Sequence, residues 1–385
     1  NSVGENPSQL RILSSPPYLN ILLIFLSCKS SLGTILNIRH LKYANTHTNM
    51  KNLNTESLQK LSLEQLRQGK LSKSLKSIDR AIKMDKKRAL SHFIKGRILQ
   101  ESGKLKASNL SYSTYISFEK TDPSNKFFRK ANFYLSLNYL SLRHFKEALH
   151  LYKFRHEEAT LKKYECLPKW EISIDSGNVL IWAEQGIGDE IFFARFLPLL
   201  KKYRATFYLE CDKRLHEIIK QNNPYLKLLD RSIIQDLKNF DFQIAFGDLF
   251  AVFSEHINYL NTPYIKVTVR PEIKMIHDIY KNKTLVGVSW RTLSQEPEQQ
   301  KLRNVELIKL SKNLNRAGTV LVILQPLVLD SEEKELKDMG FDVINKFDAT
   351  NDILAVFELI SICDQILTNQ GAVAHFAGAI GQNTL

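Results

Sequence analysis

The residues of this chain that could do chemistry gather in one glycine turn, Gly186-Ile187-Gly188-Asp189. An apolar run at residues 179–182 precedes the turn and is short and bulky enough for a buried strand. Apolar residues at helical spacing follow it, up to Leu200. Such a turn can cradle a phosphate, because the unpaired N–H groups and the dipole of a helix N-terminus favour anions. It can also hold the carboxylate of Asp189 at the mouth of a cleft, as a general base.

Two further interpretations of the turn stay open at this point. A dinucleotide fingerprint would need a third glycine or an alanine where Ile191 stands, and it would set the anionic Asp189 beside the pyrophosphate. Glu210, at the end of the next predicted strand, occupies the usual place of a ribose-binding acid. The simplest interpretation makes Asp189 an ordinary first-turn acid that the helix dipole favours.

The elements around the turn predict a doubly wound α/β domain followed by a second one, with ligands at the carboxyl ends of the parallel strands. The first has predicted strands at residues 179–182, 206–211, 226–229 and 242–246, and helices at 187–200, 213–221 and 253–260. The second has predicted strands at 284–290, 319–324, 342–344 and 365–367, and helices at 305–314, 331–339, 352–362 and 371–380. Because Leu385 comes where another strand would begin, we expect the second domain to be truncated.

A helical repeat precedes these domains, over residues 57–163. Gly69 and Gly103 are 34 residues apart, which is the period of tetratricopeptide helix pairs. The same offset relates Leu71 to Leu105, Ser74 to Ser108, Ile78 to Tyr112 and Ala81 to Tyr115, and a third unit supplies Phe145, Ala148 and Tyr152. One helix pair cannot bury its apolar face alone, so three stacked pairs are expected to form a small solenoid. This array either binds a peptide or protein partner on its concave face or is a structural extension that packs on the next domain.

Composition, cysteine spacing and charge limit the class of protein to which this chain can belong. The chain has 385 residues, of which 43% are hydrophobic and 24% charged, as in a soluble globular protein of two or three domains. Its four cysteines lie far apart without metal-ligand spacing, which fits a reducing cytoplasm. The net charge of +14 comes from residues 50–168, with 25 Lys and Arg against 11 Asp and Glu. This basic surface predicts either a solvated face or contact with an anionic membrane or acidic protein, and no nucleic-acid module accompanies it.

Residues 1–49 form an unusual leader. The first methionine is Met50, and Glu5 is the only acid before it. The apolar run at residues 18–28 is shorter than the ~20 residues that span a bilayer. We expect the natural protein to start at Met50, with a signal or anchor as the alternative.

Two motifs resemble those of one enzyme family. The first is Glu184-Gln185-Gly186-Ile187-Gly188-Asp189-Glu190 with the ARFLPLL stretch at 194–200, and the second is the GAVAHFAGAIG stretch at 371–381. In this order, on either side of VGVSWR, they resemble bacterial tetratricopeptide proteins whose catalytic part is similar to the ADP-heptose:lipopolysaccharide heptosyltransferases, glycosyltransferase family nine. O-linked N-acetylglucosamine transferases are more distantly similar. The resemblance covers residues 167–385.

This resemblance implies a GT-B architecture, in which two Rossmann-like domains face each other across a cleft. It implies repeats at residues 50–166, an acceptor domain at 167–270 and a nucleotide-sugar domain at 280–385. The family uses neither metal nor cofactor, and its acid after the glycine turn, here Asp189, is the general base. The expected partners are a nucleotide-sugar and a glycan, glycolipid or protein acceptor, without nucleic acid. The expected location is the cytoplasm, with peripheral contact to the inner face of the membrane.

The resemblance also implies the remaining candidate site residues, and the charge that develops on a leaving diphosphate gives the cationic ones among them a chemical reason. Positive potential is needed there, and helix N–H groups or cationic side chains can supply it. The candidates on the nucleotide-sugar side are Arg291, Lys301, Arg303, Gln370, Gly371, Ala372 and His375, and those on the acceptor side are Glu184, Gln185, Gly186 and Gly188. Each also has a structural interpretation, since a histidine in an alanine-rich helix commonly packs and polar loops are commonly solvated.

The chain departs from the family pattern at Gln370-Gly371, where heptosyltransferases carry Asp-Thr. The departure removes an anionic contact to the donor. It therefore favours an alternative function, in which the repeats and a degenerate sugar-nucleotide fold form a scaffold without catalysis.

Overall fold

The computed structural model describes residues 53–119, 125–233, 235–255, 262–293, 300, 304–306, 309 and 314–385. These residues form two compact units. One is helical and extends to Pro168, with Phe250–Ser254 added to it. The other is an α/β unit that comprises Lys169–Leu249 and the chain from Glu255 to Leu385. Within the described ranges, the structure contains no helix with the length and apolar character that crossing a membrane requires.

The helical unit consists of successive antiparallel hairpins. Its helices are α1 (Thr55–Arg67), α2 (Leu71–Met84), α3 (Ala89–Glu101), α4 (Leu105–Phe118), α5 (Lys126–Ser141), α6 (Phe145–Tyr152) and α7 (Glu158–Tyr164). The pairs α1–α2, α3–α4 and α5–α6 correspond to the three units of the predicted repeat. The prediction of a helical array is confirmed, whereas its assignment to the tetratricopeptide class stays a prediction.

The three hairpin turns have the same backbone geometry. Gly69, Gly103 and Arg143 have φ angles of 70°, 71° and 62°, in the left-handed region that favours glycine. The N–H of the residue after each donates to the carbonyl five positions earlier, as from Lys70 to Gln65 at 2.8 Å. The third turn therefore keeps its conformation with arginine in place of glycine. It also lies 40 rather than 34 residues after the turn at Gly103, so the sequence pattern weakens there in both spacing and residue type.

Small residues allow the two helices of a hairpin to approach each other closely. A Cβ on Gly96 would lie 2.6 Å from Cε1 of Tyr112, so only glycine fits under this ring. The hydroxyl of Ser108 donates to the carbonyl of Gly96 at 2.8 Å. Ser74, Ser108 and Ala148, the equivalent positions of the three hairpins, are all fully buried. The repeat found in the sequence is thus a packing pattern.

The α/β unit contains two four-stranded sheets in which every pairing is parallel. The first has the order β3-β2-β1-β4, with β1 (Asn178–Trp182), β2 (Thr206–Cys211), β3 (Lys227–Asp230) and β4 (Phe242–Ala245). The second has the order β7-β6-β5-β8, with β5 (Thr284–Ser289), β6 (Thr319–Ile323), β7 (Asp342–Ile344) and β8 (Gln365–Thr368). All eight predicted strands are present, so two doubly wound sheets are confirmed.

The helices of this unit are α8 (Ile187–Ala194), α9 (His216–Asn222), α11 (Pro271–Ile279), α12 (Asp330–Asp338), α13 (Ile353–Ile362) and α14 (Ala372–Ile380). Between α9 and α11, the short helix α10 (Leu249–Val252) begins at Leu249 and continues into the Phe250–Ser254 segment that groups with the helical unit. The predicted helix at 187–200 is wrong in its length. The α-helix ends at Ala194, and a 3-10 helix at Leu197–Lys202 begins around Pro198, which cannot donate a backbone hydrogen bond. The predicted helices at 253–260 and 305–314 fall mostly outside the described residues.

The last residues pair with the second sheet. The N–H of Leu385 donates to the carbonyl of Ile366 at 2.8 Å, and the N–H of Thr368 donates to the carbonyl of Leu385 at 3.0 Å. A bridge thus forms beside β8, where the sequence pattern predicts another strand.

Candidate functional site

The glycine turn lies at the carboxyl end of β1, a central strand of the first sheet, and leads into α8. Gly186 is the N-cap residue, and Oδ2 of Asp189 accepts a hydrogen bond from its N–H at 3.1 Å. The helix N-terminus therefore already carries a carboxylate from its own first turn. This occupancy disfavours a phosphate cradle at this turn, because an incoming phosphate would face an anion.

Two neighbouring carboxylates fasten the turn to the edge of the sheet. Glu184 accepts from the N–H of Gly247 at 2.7 Å through Oε1. Glu210 is 3% exposed and accepts from the N–H of Ala183 at 3.0 Å through Oε2. Glu210 thus holds the backbone at the end of β1, which disfavours the ribose-binding role that a dinucleotide site would require.

An ion pair between one buried and one exposed side chain lies next to the turn. Glu190 is fully buried, and its carboxylate pairs with the guanidinium of Arg231, which follows β3. The guanidinium also donates to the carbonyl of Gln185 at 3.3 Å. Gln185 has a φ of 61°, so a residue other than glycine is held in a strained conformation just before the N-cap. The pair therefore constrains the backbone from which Asp189 projects.

Burial raises the pKa of Glu190 to about 7, although the N–H of Asp212 and the charge of Arg231 act in the opposite direction. That N–H donates to Oε2 of Glu190 at 2.9 Å. Glu190 and Arg231 are not among the candidate site residues predicted from the sequence. In the sequence, Glu190 is simply the acid that follows Asp189 in the first turn of α8. Arg231 lies 41 residues later, after a strand that carries no motif.

The helix α14 begins with the opposite electrostatics. Gly371 is its N-cap, no side chain of the described residues caps it, and its first turn contains no acid. The N–H groups of Ala372 and Val373 and the helix dipole are therefore available to an anion, whereas the N–H of Ala374 donates to the carbonyl of Gly371 at 3.2 Å. The side chain of Asn369, which is 5% exposed, lies against this N-cap. A Cβ placed on Gly371 would lie 3.0 Å from Oδ1 of Asn369.

These two helix N-termini contact each other. A Cβ placed on Gly188 would lie 2.8 Å from Cδ2 of His375 and 3.1 Å from the Cα of Ala372. Gly188 is the second residue of α8, and Ala372 is the first residue of α14. The structure thus brings the Asp189 turn, Ala372 and His375 together, whereas their roles in one site stay a prediction.

The segment between the two sheets fixes this arrangement. The N–H groups of Tyr264 and Ile265 donate to the carbonyl of Ala379 in α14, at 2.9 and 3.1 Å. The hydroxyl of Tyr264 donates to the carbonyl of Ile191 in α8 at 3.0 Å. One tyrosine therefore links the helices that carry the two halves of the candidate site.

Arg291 lies at the carboxyl edge of the second sheet, directly after Trp290. Its guanidinium pairs with Glu332 at 3.0 Å and donates to the carbonyl of Leu327. Its charge is thus largely compensated within the protein, and its role in diphosphate binding stays a prediction.

The other candidates are placed as follows. Gln370 is half-buried next to the N-cap of α14. Lys301 and Arg303 lie outside the described residues, so their predicted roles have no structural account. Across the described ranges, no group of three or more His, Cys, Asp or Glu is positioned to hold a metal ion.

No protein-family model matches this chain, and no curated protein matches it. Solved structures similar to it include glycosyltransferases. A family 9 glycosyltransferase from Veillonella parvula aligns at 11% identity and a TM-score of 0.40, over 56% of this chain and 82% of that one. The iron-containing dodecameric glycosyltransferase TibC from enterotoxigenic E. coli aligns at 8% identity and a TM-score of 0.40, over 56% of this chain and 58% of that one.

An O-GlcNAc transferase from Thermobaculum terrenum aligns over 97% of this chain and 83% of its own, at 11% identity and a TM-score of 0.27. TM-scores of this size do not establish a shared fold. The function therefore has to be inferred from the geometry of the site.

Proposed function

We propose that this protein is a glycosyltransferase that transfers a sugar, with inversion and without a metal, from a nucleotide-sugar to a hydroxyl group. One observation carries the proposal. The N-terminus of α8, which bears Asp189, meets the uncapped N-terminus of α14, which bears His375. A carboxylate thus lies beside a helix end that can bind an anion. The reaction needs both, because a base must take the proton of the acceptor and a positive potential must stabilise the leaving diphosphate.

In the proposed reaction, the acceptor oxygen attacks the anomeric carbon and forms the new glycosidic bond. The bond from that carbon to the diphosphate breaks, and the diphosphate leaves with the electron pair. Asp189 takes the proton of the acceptor hydroxyl, as a general base. The first-turn N–H groups of α14, at Ala372 and after, and the ring of His375 stabilise the charge that gathers on the diphosphate.

We assign the acceptor to the Asp189 turn and the donor to α14. Glu184 and Gln185 are then placed to contact the acceptor, whereas Gln370, Arg291, Lys301 and Arg303 belong to the donor side. We propose a surface glycan, a lipopolysaccharide core or a protein as acceptor, reached in the cytoplasm. A protein acceptor or partner would bind the helical repeats.

The test uses the full chain and a panel of ADP-, UDP- and GDP-sugars. We expect one donor to raise the melting temperature and to be slowly hydrolysed. Asp189→Asn should keep that thermal shift but lower hydrolysis by about 10²–10⁴-fold, the usual contribution of a general base. Asp330→Asn is the matched control, because Asp330 is an exposed first-turn acid of α12 and should not affect hydrolysis.

The scaffold alternative makes a different prediction in the same experiment. Gln370, which stands where a donor-contacting acid is expected, is the observation that favours it. Nucleotide binding without turnover in wild type, unchanged by Asp189→Asn, would support the scaffold and reject the enzyme.

A further inference from the structure

A strongly basic surface of the described chain lies on α2 and the loop after it. Between Lys70 and Arg88 there are eight Lys and Arg residues and two Asp residues. Asp79 is engaged by Lys95 at 2.8 Å, and Asp85 accepts from the backbone N–H of Lys87 at 3.1 Å. Each of these two acids therefore already has another partner.

These cations occupy one face of the helix. Lys73, Lys76, Arg80 and Lys83 are spaced by three, four and three residues, which places them in a single row along about 15 Å of helix. The opposite face packs into the hairpin through Ser74, Ser77, Ile78 and Ala81. Lys73, Lys76 and Lys83 are exposed, and no carboxylate of the described residues forms an ion pair with any of these three lysines.

The repeat itself does not require this row. In the second hairpin, the positions 34 residues later are Ala107, Leu110, Thr114 and Ser117, and none is charged. Like charges three and four residues apart also repel each other along a helix, so the row slightly destabilises α2. A feature that the packing does not need and that disfavours the helix indicates an external anionic partner.

We infer that the exposed basic face of α2, defined by Lys73, Lys76, Arg80 and Lys83, binds the headgroups of an anionic lipid surface. A straight row of cations suits a plane of negative charge, and lysine ammonium groups act there as point charges without a fixed geometry. Met84, which is 53% exposed, adjoins the row and offers an apolar side chain to the boundary with the acyl chains.

A single-stranded nucleic acid is the competing anion. Its binding sites combine cations with aromatic side chains on which the bases stack. The sequence of α2, LSKSLKSIDRAIKM, contains no aromatic residue. The lipid surface is therefore the better match, and this inference does not depend on the proposed transfer reaction.

The test measures co-sedimentation of the full chain with vesicles of phosphatidylcholine, alone or with phosphatidylglycerol as roughly one third of the lipid. We expect association with the anionic vesicles only, and weaker association at higher salt. Each cation should contribute about fivefold to the partition coefficient. The triple variant K73E/K76E/K83E should therefore lower association by at least about 100-fold.

The matched control is K274E/K281E/K346E, which makes the same change in net charge at exposed lysines of the α/β unit. It should retain most of the association. A second variant, K73Q/K76Q/K83Q, removes the charges without adding acids, and circular dichroism monitors folding in each case. Equal loss in both triple Glu variants, no binding to anionic vesicles by wild type, or a variant that loses binding to polyuridylate but not to vesicles would each overturn the inference.

Discussion

The two helices that meet at the candidate site begin in the same way and have opposite electrostatics. Both α8 and α14 follow a parallel strand and have glycine as N-cap. At α8, Asp189 accepts from the N-cap N–H, and the turn is tied down by Glu184, Glu190 and Glu210. At α14, the first turn has neither an acid nor a side-chain cap among the described residues. One turn therefore presents a carboxylate, whereas the other presents open N–H groups.

The comparison shows that a glycine turn before a helix does not by itself define an anion site. A helix N-terminus is open to an anion only where no side chain of the helix already accepts hydrogen bonds from its first N–H groups. Placing one turn of each kind in contact gives the site a proton acceptor beside an anion receptor, which neither turn supplies alone.

The largest expected effect concerns the ion pair that holds the α8 turn. Arg231→Met leaves the fully buried Glu190 without its cation, which should cost about 3 kcal/mol in the free energy of unfolding at pH 8. The loss should be smaller at pH 6, because the pKa of Glu190 is raised to about 7 and its carboxyl is then mostly protonated. Urea denaturation at both pH values measures the difference.

The control for this prediction is Glu190→Gln, which removes the titration itself. A carboxyl whose pKa is raised in the folded state contributes its stability at low pH and loses it as pH rises from about 4.5 to about 7. The glutamine variant should therefore lack this decline. An equal loss at pH 6 and pH 8 in Arg231→Met would show that the ion pair does not titrate in this range.

A second variant probes the contact between the two turns. Gly188→Ala places a Cβ 2.8 Å from the His375 ring and 3.1 Å from the backbone of Ala372, so it should destabilise the protein by about 1–3 kcal/mol. Gly186→Ala, two residues earlier, meets its nearest atom only at 3.4 Å and should cost less, about 0.5 kcal/mol, because alanine is a poorer N-cap than glycine. Thermal melting compares the pair, and equal melting temperatures would contradict close contact of the helices.

The smallest expected effect on stability comes from making α14 resemble α8. Gly371 has φ −132° and ψ −172°, which suits an N-cap aspartate, but a Cβ there would lie 3.0 Å from Oδ1 of Asn369. These two effects oppose each other, so Gly371→Asp should change the free energy of unfolding by no more than a few tenths of a kcal/mol. We expect pyrophosphate, as the anionic part of the proposed leaving group, to raise the melting temperature of the wild type. The carboxylate of Gly371→Asp would occupy the helix N-terminus and should abolish this rise. Gly371→Ala, which adds only the Cβ, should retain that stabilisation; its loss in both variants would instead implicate the contact with Asn369.

Local patterns in the sequence predict much of this architecture. All eight strands lie within one or two residues of their apolar runs, because buried parallel strands leave uninterrupted hydrophobic stretches. The hairpin turns at Gly69 and Gly103 follow from the need for a positive φ. Helix α11 is absent from the predicted elements, although Pro271 at its first turn and the buried Ile273 and Ile276 carry a helical signal.

Residues that act through distant partners are not predicted in the same way. Glu190 and Arg231 are 41 positions apart, and nothing in either local pattern shows that they meet. Arg291 is predicted as an available cation, but its pairing with Glu332 depends on where the fold places α12 relative to Arg291. In both cases, the local sequence specifies the charge, and the fold decides whether it is compensated.

The sequence by itself determined the elements of this protein, since strand burial, helix spacing and turn conformation depend on residues close along the chain. It also placed Asp189 and His375 each at the start of a helix. Only the tertiary structure decided that these two helix ends touch at Gly188, and that one of them is already capped by its own carboxylate. The physical reason is that contact and charge compensation depend on distances in space, which the order of residues does not contain.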